Sequence, residues 1–193
     1  MASSDGRSLL VLGLGNVLCR DDGLGVAAVE DLCRRYAAPE GVRILDGGTR
    51  GLDLLTYVGD GEDLVLVDAV LTGEAPGTLV RLAGEEVAPV VRERLSVHQL
   101  GVADLLDGMR WLGLRHLHLV LLGLVPESME VGVGCSAAVA AALPRLVEAI
   151  AREAANLGHP LPPRPDARRE LERCELVSPD RPDWAYRPLA VGL

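Results

Sequence analysis

A chain of 193 residues, 49% of them hydrophobic, holds enough apolar material for one compact domain with a continuous core, and is too short for two ordinary ones. Its formal charge of -9 argues against a protein built to hold nucleic acid or an anionic membrane by bulk electrostatics, and favours a protein partner or a cation. All 19 basic residues are Arg, so neither Schiff-base lysine chemistry nor a Walker lysine is available.

The stretch that organises the chain is Leu9 to Gly25, LLVLGLGNVLCRDDGLG: an apolar run, then Gly13-Leu14-Gly15-Asn16, then adjacent acids Asp21 and Asp22 before Gly23-Leu24-Gly25. This reads as a strand, a tight loop and a helix start, with the acids where an open α/β sheet keeps its ligand crevice. Leu24 to Tyr36 puts Val26, Val29, Leu32 and Cys33 at helical spacing opposite Glu30, Asp31, Arg34 and Arg35, an amphipathic crossover helix. Val42 to Leu45 is a short strand ending in Asp46-Gly47-Gly48-Thr49, followed by a brief helix over Leu52 to Val58. Asp63 to Val70 is the next buried strand, interrupted by one acid, Asp68.

After the Pro76-Gly77 turn, Thr78 to Leu82 reads as a strand and Glu85 to Arg94 as weakly helical. His98 then falls at a loop-to-helix junction before a helix over Leu100 to Leu112. His116 to Val125 reads as a strand closed by Pro126-Glu127-Ser128, and Ala137 to Leu157 as a helix that must kink or restart at Pro144. The pattern predicts a single-domain, three-layer α/β fold: a twisted, mostly parallel open sheet of about five strands with helices on both faces. From Pro160 onward the composition changes: seven of the twelve prolines lie there, and six Arg balance six acids. The expected division is a body over 1–158 and a loosely ordered tail over 159–193.

Asp22, Asp68 and His98 stand out because each lies where a strand ends or a helix begins, and such junctions meet at one sheet edge. An isolated buried carboxylate is costly, and a cation shared among two carboxylates and an imidazole would relieve that cost; this mixed O/N donor set leaves coordination positions open to substrate. The alternative is structural: Asp22 as a helix cap, Asp68 as an acceptor of backbone amides, His98 as an ordinary first-turn residue. Asp46 to Thr49 can position a peptide backbone beside the sheet or be a simple turn. His116 and His118, on one face of a strand, read as structural. Ser128 and Ser136 lack a G-x-S-x-G context, and the Gly13 to Asn16 loop lacks the third glycine of a dinucleotide fingerprint. Cys19, Cys33, Cys135 and Cys174 form no CxxC pair and read as ordinary thiols. No apolar run reaches membrane-spanning length and MASSDGRS is no signal peptide, so a cytoplasmic protein is expected.

Gly13-Leu14-Gly15-Asn16, Asp21 to Gly25, Asp46 to Thr49, Val67-Asp68-Ala69, Ser96 to Gly101 and Pro126-Glu127-Ser128, in that order, resemble the blocks of the hydrogenase maturation endopeptidases. The resemblance runs from about Leu9 to Leu157. It implies a cytoplasmic endopeptidase that removes the C-terminal extension of the nickel-loaded precursor of a nickel-iron hydrogenase large subunit. By motif position it puts metal-contacting and catalytic roles on Asp22, Asp68 and His98, and many members carry Glu where Asp22 stands. The nickel is carried by the substrate, and zinc or cadmium can occupy such a site. The precursor is the implied partner, with no nucleic acid and no membrane. Two other readings share parts of the pattern. One is a non-catalytic nickel-sensing or chaperone module for hydrogenase assembly. The other is a peptidyl-tRNA hydrolase, which also begins with a strand into Gly-Leu-Gly-Asn but whose tRNA substrate calls for a basic surface.

Overall fold

The computed structural model describes residues 7–92 and 99–164. Its centre is β1 (Leu9–Leu14), buried on both faces along its whole length. Because strand side chains alternate, Leu9 and Val11 enter one core layer and Leu10, Leu12 and Leu14 the other. β3 (Asp63–Ala69) behaves identically, with Val65 and Val67 on the first side and Leu64 and Leu66 on the second. A strand apolar on both sides needs cover on both sides, which is why these runs read as continuous rather than alternating.

The first layer is α1 (Leu24–Arg35) with α4 (Ala137–Asn156); the second is a 3-10 segment (Gly51–Tyr57) with α2 (Val87–Arg92) and α3 (Gln99–Trp111). Between them β2 (Val42–Gly48), β1, β3, β5 (Leu119–Leu124) and β4 (Leu79–Ala83) form one sheet in the order 2-1-3-5-4. All neighbours run parallel except β4, which pairs antiparallel with β5 at the edge. The five-stranded, mostly parallel three-layer fold is therefore as expected. Strand order reverses direction at β1, which has β2 on one side and β3 on the other, so the switch point lies between the carboxyl ends of β1 and β3.

Three local readings change. The strand expected from His116 begins only at Leu119, because His118 turns its ring onto Asp63 (Nδ1 to Oδ1 2.8 Å) at the amino end of the sheet. α4 is continuous through Pro144 rather than restarting there. β2 extends through Gly48 by a bulge, Gly13 facing Asp46 and Leu14 facing Gly48 with Gly47 the extra residue. Of the cysteines, Cys19 and Cys135 are free thiols as expected, whereas Cys33 is disulfide-bonded. Residues 159–164, assigned by composition to the tail, lie against the body. The His159 ring meets Asp63 at 3.1 Å, Leu161 is buried in the first core layer, and Arg164 N–H donates to the Arg35 carbonyl at 2.8 Å. Among the described residues no helix is long and apolar enough to cross a membrane.

Candidate functional site

The loop after β1 returns over the end of its own strand. Residues Arg20–Gly23 close into a 3-10 turn that leads directly into α1, and this turn packs against β3. Its fit is tight at Gly15, where a Cβ would overlap the Asp22 carbonyl oxygen and would lie 3.6 Å from Asp68 Oδ1. Gly15 also takes a φ of +116°, a conformation that side chains oppose. Only glycine therefore lets the Asp22 backbone come down on the end of β1, with the Asp68 carboxylate from the end of β3 alongside.

Both acids are nearly enclosed, Asp22 at 1% and Asp68 at 5% exposure. Asp22 Oδ2 accepts from Asn16 N–H at 3.0 Å, and Asp68 Oδ1 accepts from Ala69 N–H at 2.7 Å. These backbone bonds orient the two carboxylates. The third candidate donor, His98, lies outside the described residues, as do residues 93–97. Among the described residues no group of three His, Cys, Asp or Glu side chains is placed to hold a metal.

Asp46, Gly48, Thr49 and Arg50 line a cavity of about 190 Å³ together with Gly15 and Asn16. Asp46 is buried, the Gly48 carbonyl accepts from Gly15 N–H at 3.0 Å, and Arg50 reaches the Asp46 carbonyl at 3.4 Å. The Asp46 to Thr49 segment thus meets Gly15 and Asn16, the start of the loop that leads to Asp22.

Asp21, singled out in sequence only as half of an acidic pair, has a separate task. Fully buried, its Oδ2 accepts from Glu127 N–H (2.8 Å) and Ser128 N–H (3.0 Å), and its Oδ1 from Ser136 N–H (2.5 Å). Burial alone would raise its pKa, but the amides of Ser136, Ser128 and Glu127 outweigh that effect and hold the carboxyl below the usual carboxylate range. Asp21 is an anion tying the 127–136 loop to the turn that carries Asp22. The only advance sign was the doubled acid, because all three amides lie more than 100 residues away in sequence. Burial, reinforced by the charge of Asp21, pushes the neighbouring Cys135 thiol up, which disfavours its thiolate as a nucleophile.

A doubly wound, mostly parallel sheet with buried acids near the carboxyl ends of β1 and β3 places this chain among the α/β proteins that keep a ligand crevice at that edge. A sequence profile of the hydrogenase maturation proteases, HycI, matches residues 26–153. The hydrogenase 2 maturation protease of Escherichia coli strain K12 is 41% identical over 143 residues, covering 74% of this chain and 87% of its own. The hydrogenase expression/formation protein HupD of Bradyrhizobium diazoefficiens is 42% identical over 129 residues, covering 66% and 67%. Among solved structures, the hydrogenase maturating endopeptidase HybD from Escherichia coli superposes with a TM-score of 0.77 at 39% identity, covering 81% of this chain and 98% of its own. The [NiFe] hydrogenase maturation protease HybD from Thermococcus kodakarensis gives 0.63 at 28% identity, covering 76% and 99%. The chain belongs to the hydrogenase maturation proteases, and it is a hydrolase of the endopeptidase class.

Proposed function

We propose that this endopeptidase removes the C-terminal extension of a nickel-iron hydrogenase large-subunit precursor, and that it recognises the precursor by the nickel already in it. The observation that carries this reading is the burial of two acids, Asp22 and Asp68, on elements that meet at Gly15 by the carboxyl edge of the sheet, in a chain whose family acts in hydrogenase maturation. Two buried carboxylates held by Asn16 and Ala69 amides present oxygen donors without needing to rearrange. With the His98 imidazole they would make a three-donor set, too open for a resident structural ion and suited to an ion that brings its own protein ligands. Zinc and cadmium satisfy the same donor chemistry and are expected to occupy the site in their place.

Asp46 to Thr49, at the end of a sheet-edge strand and meeting Gly15 and Asn16, is the segment proposed to align the precursor backbone. The precursor's nickel can polarise the adjacent carbonyl when docked. The work proposed for the chain itself is to orient the scissile segment, exclude bulk water and hold two anionic oxygens beside it.

The test incubates the full-length chain with nickel-loaded and nickel-free precursor and follows the loss of the extension by mass. Cleavage of the loaded form alone is expected. Asp68→Asn and His98→Ala should each slow processing more than about a hundredfold, since each removes a donor that acts as part of a unit. Equal processing of both precursor forms would overturn nickel recognition and recast Asp22, Asp68 and His98 as a resident catalytic or structural cluster.

A further inference from the structure

Two loops that meet at the mouth of the site share a backbone ladder. Arg20 N–H donates to the Gly132 carbonyl at 2.8 Å, Gly132 N–H to the Leu18 carbonyl at 2.8 Å, and Asp21 N–H to the Ser128 carbonyl at 3.1 Å. Cys19 and Gly132 form a parallel bridge, and the Asp21 carboxylate adds its three amide bonds from below. Arg20 accepts a left-handed φ of 49° to make this geometry. The ladder fixes a strip of side chains that no fold requirement explains: Leu18 is 61% exposed, Val131 88% and Val133 72%. Isolated exposed apolar residues are ordinary, but these three sit on two hydrogen-bonded loops, Val131 and Val133 flanking the glycine whose N–H meets the Leu18 carbonyl and against which the exposed Arg20 side chain lies. Exposed Glu127 and Glu130 lie on the same loop, and the whole excess of negative charge belongs to the chain before the tail, since the residues from Pro160 onward are balanced.

We infer that Leu18, Val131 and Val133 form a preorganised apolar ledge that seats an apolar segment of the hydrogenase large-subunit precursor flanked by basic residues. This inference rests on the peptidase reading above and names how the same site selects its protein substrate. Asp22, almost out of solvent, lies on the turn that carries this ladder, and that turn packs against β3, whose end holds the equally enclosed Asp68, so a folded protein that brings its metal to them must lie across these loops. The precursor is the occupant that contact requires. The hydrogen bonding that orders Leu18, Val131 and Val133 before binding lowers the entropy cost of forming such a contact, and Glu127 and Glu130 complement a basic margin on the partner and speed association at low salt.

The experiment compares full-length wild type with Val131→Asp, Val133→Ser and Leu18→Asp, measuring precursor binding by interferometry, kcat and KM for processing, and melting temperature. Each ledge variant is expected to weaken binding and raise KM about tenfold, equivalent to about 1.4 kcal/mol, with kcat and melting temperature unchanged. Trp111→Ser is the control: Trp111 is 95% exposed but sits at the far end of α3, roughly 18 Å from its start, and should change neither binding nor KM. A melting temperature lowered by the ledge variants would show that the chain's own residues cover the strip, and would overturn the inference. So would a wild-type dimer that Val131→Asp dissociates with KM unaltered. Normal cleavage by all three variants overturns the ledge and leaves the peptidase reading standing; ledge-dependent precursor binding without cleavage by wild type does the reverse.

Discussion

Replacing Asp21 by Asn tests whether the first acid of the pair is structural while the second is functional. The carboxylate accepts three backbone N–H bonds, two on Oδ2 and one on Oδ1, with no solvent access. An amide keeps one acceptor oxygen. Its best orientation leaves that oxygen on Glu127 and Ser128, and sets NH2 against the Ser136 N–H, donor to donor. One buried amide left without an acceptor costs about 1–3 kcal/mol. The two remaining bonds lose their charge assistance, which roughly doubles a bond's strength. The sum is about 3 kcal/mol, and at about 2–4 °C per kcal/mol for a chain of this size the melting temperature should fall by roughly 6–12 °C. Thermal unfolding followed by circular dichroism measures the fall, and limited proteolysis should show new cutting between 127 and 136. A loss below about 1 kcal/mol, or cutting spread evenly through the chain, would refute the clamp. Asp22→Asn, which retains an acceptor for Asn16 N–H, is the contrast: its defect should appear in processing far more than in melting.

At the other end of the sheet, Asp63 is fully buried and meets His118, His159 and Arg7, the last at 3.1 Å. Burial alone would raise its pKa, but the His118 and His159 bonds and then the Arg7 charge hold it below the usual carboxylate range. A depressed folded-state pKa gives stability that is complete above the unfolded value near 4 and lost as pH falls through the folded value. Asp63→Asn should therefore cost about 2 kcal/mol at pH 7, discounted because Arg7 and His118 are partly open to water, and the gap to wild type in denaturant titrations should narrow toward pH 3. Gly25→Ala should be among the most damaging small substitutions, because its Cβ would overlap the backbone carbonyls of Val67 and Leu14 and force α1 off the sheet. A loss of at least about 3 kcal/mol is expected, and a melting temperature near wild type would show that α1 can shift freely.

The central strands and both flanking layers are legible in sequence because burial on two faces leaves an unbroken apolar run, and a helix covering one face leaves a 3.6-residue stripe. Asp68 is legible for the same reason: a lone acid in such a run is conspicuous. The antiparallel direction of β4 had a sign that the residue pattern alone does not advertise. Only the stretch from Val70 to Thr78 separates β3 from β4, shorter than the dozen residues a parallel crossover needs. The Asp63 cluster is opaque because its partners stand 55, 56 and 96 residues away, and two of them, His118 and His159, carry no local pattern that links them. The roles of Asp21 and Asp22 are equally unreadable from adjacency, since only the distant 127–136 loop separates them.

That separation follows from the turn in which the two acids sit. In a 3-10 helix, with about three residues per turn, successive side chains diverge by about 120°. Asp21 can therefore enter the 127–136 loop while Asp22 faces Asn16 and the end of β1. The same geometry bears on the short arm of Asp22, where many family members carry the longer Glu. The Asp22 backbone is pressed so closely on Gly15 that no Cβ fits between them, so the position of the shorter side chain is fixed from its backbone. One turn thus sets the position of a carboxylate through its backbone and the position of the apolar ledge through its neighbour's side chain. Loosening Asp21 should then impair precursor binding and processing together, although Asp21 itself touches neither the carboxylate pair nor the substrate.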